Sequence, residues 1–162
     1  MADWLAERWD EPALEIRQKA ARYQHWVFEH LQDTLEQALV AHEALRRAGL
    51  DEEAARLAVD VIVPRFDRRE LYYTLLKEWL PVLRESQDQA IRGDAFGFSS
   101  KISIDIGNYD DAMAYSEQAL AIFRAIGDRA GKGTMLNNIA GIYQAQGDYT
   151  TPAQMTAELH VV

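Results

Sequence analysis

The Gly-x-Tyr turn at Gly107-Asn108-Tyr109 returns as Gly147-Asp148-Tyr149, so glycine and tyrosine both recur after 40 residues. The same offset pairs Gly93 with Gly133, Phe96 with Leu136, Ser100 with Ala140 and Ile102 with Ile142, small on small and apolar on apolar. A period of this length built from apolar residues at helical spacing is a pair of helices joined by a turn, and such a pair cannot cover its own apolar face. Stacking against the next pair supplies the cover. The repeat therefore selects an all-α array of antiparallel helix hairpins. Ile102-Ser103-Ile104-Asp105-Ile106 alternates as a strand would, but its repeat mate Ile142-Tyr143-Gln144-Ala145-Gln146 reads as helix, and the segment is assigned to a helix.

The rest of the chain falls into place around that array. Residues 3–10 make a short amphipathic turn or helix with Trp4, Leu5 and Trp9, and Pro12 then suits the first turn of the next element. From Ala13 to about Ala48 there is no glycine or proline, and Ile16, Ala20, Tyr23, Val27, Leu31 and Leu35 step along one face, which predicts one long helix ended by Gly49. Asp51 is a candidate N-cap for a shorter helix that Pro64 closes. A further helix is expected from Arg69 to about Gln89, kinked or broken near residues 78–81 by Pro81. Leu80 and Leu83 fall on Leu120 and Phe123 at the repeat offset, which makes this a degenerate first hairpin. Helices over 90–105, Asp110–Ile126 and Thr134–Gln146 follow, and a last one begins near Pro152. Three regions result: residues 1–50 with the long helix, a degenerate hairpin over 51–89, and repeats over 90–162 with the last one truncated.

Charge narrows the partners. The chain has 17 basic and 26 acidic residues, a formal charge of -9, which repels nucleic acid and anionic lipid. No apolar run approaches the ~20 residues that span a bilayer, and the N-terminus lacks the basic start and apolar run of a signal peptide. With no cysteine there is no disulfide, thiolate nucleophile or Cys-ligated metal, and the expected location is the cytoplasm.

Motifs with chemistry attached fail on spacing. Gly127-Asp128-Arg129-Ala130-Gly131-Lys132-Gly133-Thr134 has three residues between its first glycines and a glycine after the lysine. A phosphate-binding loop needs four residues and a hydroxyl there, so the stretch is read as an inter-repeat loop. His25 and His30 are five residues apart, ~140° from each other around a helix, where zinc pairs need a spacing of four. The carboxylates Asp51, Asp67, Asp110 and Asp111 sit at helix starts, where capping and the helix dipole account for them. Trp26, Phe28, Tyr72, Tyr73 and Trp79 are assigned to the core. Catalytic residues, cofactors and metals are assigned none, and the chain is read as no enzyme.

Two stretches carry a resemblance. Leu136-Asn137-Asn138-Ile139-Ala140-Gly141-Ile142-Tyr143-Gln144-Ala145-Gln146-Gly147-Asp148-Tyr149 resembles the first helix and turn of a tetratricopeptide repeat. Tyr115-Ser116-Glu117-Gln118-Ala119-Leu120-Ala121-Ile122, followed by Gly127-Asp128-Arg129, resembles its second helix and inter-repeat loop, in the longer-loop variant of kinesin light chains and bacterial signalling proteins. The departures are Pro152 for a small residue, Ser103 where Tyr143 stands in the next repeat, and Ser116 for an aromatic.

The resemblance implies a right-handed superhelix of hairpins whose first helices line a concave face. It implies a protein-protein interaction module, a scaffold within a larger bacterial signalling protein, that takes a protein or peptide partner there. The family's ligand-contacting positions carry over to Asp94 and Lys101 in one repeat and to Asn137 and Gln144 in the next. An amide such as Asn137 both donates to and accepts from a peptide backbone, and Lys101 suits a carboxylate. Asn137→Ala and Lys101→Glu are expected to weaken capture. The alternative is a self-association module, in which the apolar C-terminal helix with Met155, Leu159, Val161 and Val162 pairs with another copy as a homo-oligomer.

Overall fold

The computed structural model describes residues 3–147, with side chains from residue 13 onward; the expectations for Pro152, the terminal helix and its self-association lie outside them. Among these residues every regular element is helical. The chain divides into two compact units, the second beginning at Phe66, inside the stretch 51–89 that the repeat offset treats as one hairpin.

In the first unit the single long helix is two. Helix α1, Asp3–His30, runs through Pro12 without ending, and α2, Leu35–Arg47, starts anew after residues 31–34. The break is local chemistry. Thr34 is extended (φ -112°, ψ 153°) and its hydroxyl accepts from the Gln37 amide, a cap that outcompetes continued helix over Gln32-Asp33-Thr34. The two helices run antiparallel, since Gln37 bonds Gln24 while Gln18 reaches the Ala48 carbonyl. Their packing also reverses the predicted face of α1. Ala21 and Phe28 are buried, whereas Ile16, Tyr23 and Leu31 are 59–67% exposed. The outward stripe holds itself: Trp26 stacks on Tyr23 and on His30, with ring centroids 6.0 and 4.8 Å apart. Trp26 and Tyr73 are thus surface aromatics, while Phe28 is core and carries the Arg65 guanidinium 5.5 Å above its ring.

Neither Pro64 nor Pro81 ends a helix. Helix α3, Asp51–Leu57, passes through a π-helical turn at Ala58–Ile62 into α4, Val63–Asp67. Likewise α5, Tyr72–Thr74, passes through a π-helical turn at Leu75–Trp79 into α6, Leu80–Leu83. A proline has no N–H for the carbonyl four residues back and its ring collides with that carbonyl in a regular helix. Widening the turn moves the ladder: the Val63 amide reaches Ala58 and the Leu80 amide reaches Leu75, each five residues back and each one residue before the proline. The chain reverses between α4 and α5, where Glu70 has φ 56°. The helix expected from Arg69 therefore starts at Tyr72, and Asp51 is its helix's first residue rather than its cap, Leu50 holding that place without a side-chain bond.

The array occupies the second unit. Helix α7, Gln89–Asp105, starts where the Asp88 carboxylate accepts from the Ala90 and Ile91 amides. Helix α8, Tyr109–Ile126, is capped by Asn108 and ends on Gly127, whose φ of 74° needs a residue without Cβ. Helix α9, Arg129–Ala145, is capped by the Asp128 carboxylate accepting from the Gly131 amide. The glycine-rich stretch is therefore mostly the first turns of α9 rather than a loop. It carries glycine because a Cβ at Gly131 would lie 2.6 Å from the Phe123 ring and from Asp128 Oδ2. Ser100 and Ser116, equidistant from Asn108, meet at 2.6 Å, which fixes α7 and α8 as antiparallel. Phe123 and Gly131, equidistant from Gly127, do the same for α8 and α9. Ala119, Leu120 and Phe123 of α8 close on Met135, Leu136 and Ile139 of α9, with Phe96, Met113 and Tyr143 packed against them. Each large side chain so buried contributes ~1.5–3 kcal/mol.

Candidate functional site

Where α7 and α9 face each other over α8 there is a cavity of about 230 Å³. Its apolar walls are Phe98, Gly97, Phe123 and Met135, of which Phe123 and Met135 are 3% exposed. Asp94, Lys101, Thr134 and Asn138 bring polar groups to the same cavity, and the close approach at Gly131 completes it. On α7 the lining positions 94, 97, 98 and 101, and on α9 the positions 131, 134, 135 and 138, advance by three and four, one stripe on each helix. The repeat offset links the stripes: Asp94 falls on Thr134 and Phe98 on Asn138.

Of the four positions the resemblance carries over, the structure brings Asp94 and Lys101 together in this cavity. Asn137 and Gln144 are exposed on α9 and do not line it; Asn138 does. Adding the 40-residue offset to the α7 stripe gives 134, 137, 138 and 141, of which 134 and 138 line the cavity, so the offset admits Asn138 but does not by itself choose it over Asn137. One residue along a helix turns the side chain by ~100°, enough to move it off the stripe.

Lys101 is held on two sides. Its Nζ donates to Asp67 Oδ1 at 2.9 Å and to Asp105 Oδ2 at 3.0 Å, and the Tyr72 hydroxyl reaches the same Asp105 oxygen at 3.4 Å. Desolvation acts to lower the lysine's pKa, but the hydrogen bonds and charges of Asp67 and Asp105 outweigh it and leave it above the ordinary 10.5. The carboxylates Lys101 meets are thus the protein's own. Nearby, the Arg84 guanidinium lies 4.8 Å over the Tyr115 ring and 5.7 Å from that of Phe96, joining the chain after α6 to α7 and α8. A second, wider depression of about 610 Å³ lies in the first unit along α2, with Glu36, Glu43 and Arg47 on its lining, Arg47 paired to Glu43 at 2.7 Å. It has no buried aromatic or sulfur wall comparable to Phe123 and Met135.

The α7–α9 cavity is an apolar hole with an amide, a hydroxyl and charged groups around it, a lining that suits binding by shape and hydrogen bonding. No curated protein and no solved structure matches the chain. Residues 102–151, from the end of α7 through α8 and α9, match the family model of the tetratricopeptide repeat, and the all-α stacking of these hairpins is that repeat's helical architecture.

Proposed function

We propose that the protein is an interaction module that holds an extended segment of a partner protein along α7 and α9, with one side chain of that segment inserted in the cavity between them. The observation that carries this reading is the cavity itself, an apolar hole between the facing helices α7 and α9 with the Asn138 amide on its lining. Asn138, on the lining, can hydrogen-bond a peptide backbone whatever its sequence, while the exposed Asn137 and Gln144 lie on a neighbouring face of α9 and would meet the segment only where it leaves the cavity. The place of this module in a cytoplasmic bacterial signalling scaffold rests on the resemblance of Tyr115–Ile122 and the Gly127-Asp128-Arg129 that follows it, in sequence, to the repeats of such proteins.

The test is a binding series with fluorescent synthetic peptides and two kinds of variant. Gly97→Leu puts a bulky side chain on the cavity lining, where a Cβ would already touch Met135 Cε at 3.4 Å and the rest of the leucine must take the space of the cavity or move the flexible Met135 side chain. It is expected to abolish binding with the helical circular dichroism unchanged. Asn138→Ala is expected to weaken binding about fivefold, the loss of one neutral hydrogen bond, and Asn137→Ala by less than about twofold. Full binding by the Gly97→Leu variant would place the site elsewhere.

A further inference from the structure

The charges at the cavity specify what kind of peptide it takes. A lysine at the mouth of a peptide groove is ordinarily read as a receptor for a carboxylate. Here that charge is already balanced twice, by Asp67 and by Asp105, both within 3.0 Å of Nζ. Asp94 brings a further carboxylate to the lining. Around Lys101 there are two carboxylates to one ammonium, an excess of one negative charge beside an apolar hole. An incoming carboxylate could take the third N–H of Lys101 only by lying against Asp67 and Asp105, whose like charges repel it. An incoming ammonium or guanidinium meets acceptors instead: Asp105 is 36% exposed, and a carboxylate has room for more than the two donors now on its Oδ2. The whole chain, at -9, pulls in the same direction over longer range.

The hole sets the other half of the specificity. At about 230 Å³ it falls below the roughly 300 Å³ at which pockets for drug-sized ligands begin, which suits one bulky side chain rather than a cofactor. Phe98, Phe123 and Met135 offer that side chain two aromatic faces and a polarisable sulfur.

We infer that the α7–α9 cavity recognises a cationic peptide segment, in which a leucine, methionine or phenylalanine fills the hole and a neighbouring lysine or arginine pairs with the carboxylates around Lys101. The inference rests on the reading of the cavity as a peptide site and adds the charge of the ligand to it.

The experiment measures fluorescence anisotropy of the full chain with short synthetic peptides. Each carries a central Leu, Met or Phe in a Gly-Ser background, flanked by Lys or Arg, by Asp or Glu, or by Ser alone. Basic-flanked peptides are expected to bind about twofold to fivefold tighter than their acidic counterparts, the span of one exposed ion pair, with the difference shrinking as salt is raised. Lys101→Gln removes the only cation of the group and is expected to widen that ratio, while Asp105→Asn narrows it. These opposite signs are not what a merely structural role for the two residues would give. Should Asp105→Asn fail to fold, Lys101→Gln alone still decides the sign.

Equal or tighter binding of the acidic peptides, or a ratio that survives Gly97→Leu, overturns the inference and leaves peptide capture standing in the first case. Failure of every peptide class to bind overturns the peptide reading itself. A dimer seen by light scattering that Gly97→Leu disperses would assign the cavity to a second copy of the chain and overturn both.

Discussion

Ser100 and Ser116 hold the interior of the α7–α8 pair in a way neither residue suggests alone. Both are fully buried, and the 2.6 Å hydrogen bond between their hydroxyls lets each satisfy the other. Ser116 stands where the repeat pattern expects an aromatic, and its hydroxyl bonds Ser100 instead. Ser100→Ala is expected to destabilise the protein by about 1–3 kcal/mol in urea unfolding, because it strands the Ser116 hydroxyl. The double variant Ser100→Ala/Ser116→Ala removes both partners and is expected to lose less than the sum of the single changes; additive losses would mean that the hydroxyls are not coupled. Residue identity thus carried the repeat, and the resemblance pointed to Asp94 and Lys101, which the structure places on the lining of one cavity. It did not carry what neutralises Lys101. Asp67 lies 34 residues away in sequence, and nothing in a helical period reports a contact made by a chain reversal at Glu70.

At the scale of elements, the ends of the repeat helices were legible at Gly107 and Gly127, whose φ of 77° and 74° stop a helix, whereas the cap at Asp128 went unread among glycines and α9 starts at Arg129 rather than Thr134. The prolines misled for the opposite reason. Proline forbids a regular α-turn but not a helix, and both Pro64 and Pro81 are tolerated by a π-helical turn just before them. If the turn at Leu75–Trp79 already relieves the clash, Pro81→Ala has little left to relieve. Its urea midpoint is expected to correspond to a change of less than about 1 kcal/mol in either direction, against the ~3 kcal/mol of an unrelieved helical proline. A gain near the larger figure would show that the strain is still stored. The α1–α2 break was hidden because apolar residues at helical spacing continue across residues 31–34 on the face that proves to be exposed. Periodicity identifies a stripe; it does not say whether the partner of that stripe is on the inside.

At the scale of the whole molecule, pH is expected to loosen the two units at opposite ends of the scale. In the first, burial of His42, reinforced by the charge of Arg46, holds the imidazole below its ordinary 6.5 in spite of Glu43. The folded state then binds fewer protons than the unfolded one, so the stability this group supports is complete above 6.5 and falls as pH drops through the lower folded value. Glu15, held below 4.5 by its hydrogen bond to Lys19, adds its own loss only in more acid solution. In the second unit the sign reverses. Lys101 is raised above 10.5, so its contribution is complete below that value and is lost as pH rises through the folded pKa. Tyr72, raised above 10.0 first by desolvation and then by Asp105, keeps its proton longer in the folded state and loses stability over the same alkaline range. His42→Gln is therefore expected to flatten the decline below pH 6.5 while leaving the alkaline limb intact, and Lys101→Met to do the converse. Chemical denaturation across the pH range checks both, with backbone amide resonances of α2 and α7 reporting which unit opens. An acid limb unchanged by His42→Gln would assign that loss to the carboxylates, and an alkaline limb unchanged by Lys101→Met would remove the Asp67–Lys101–Asp105 pairing from the forces that hold the second unit.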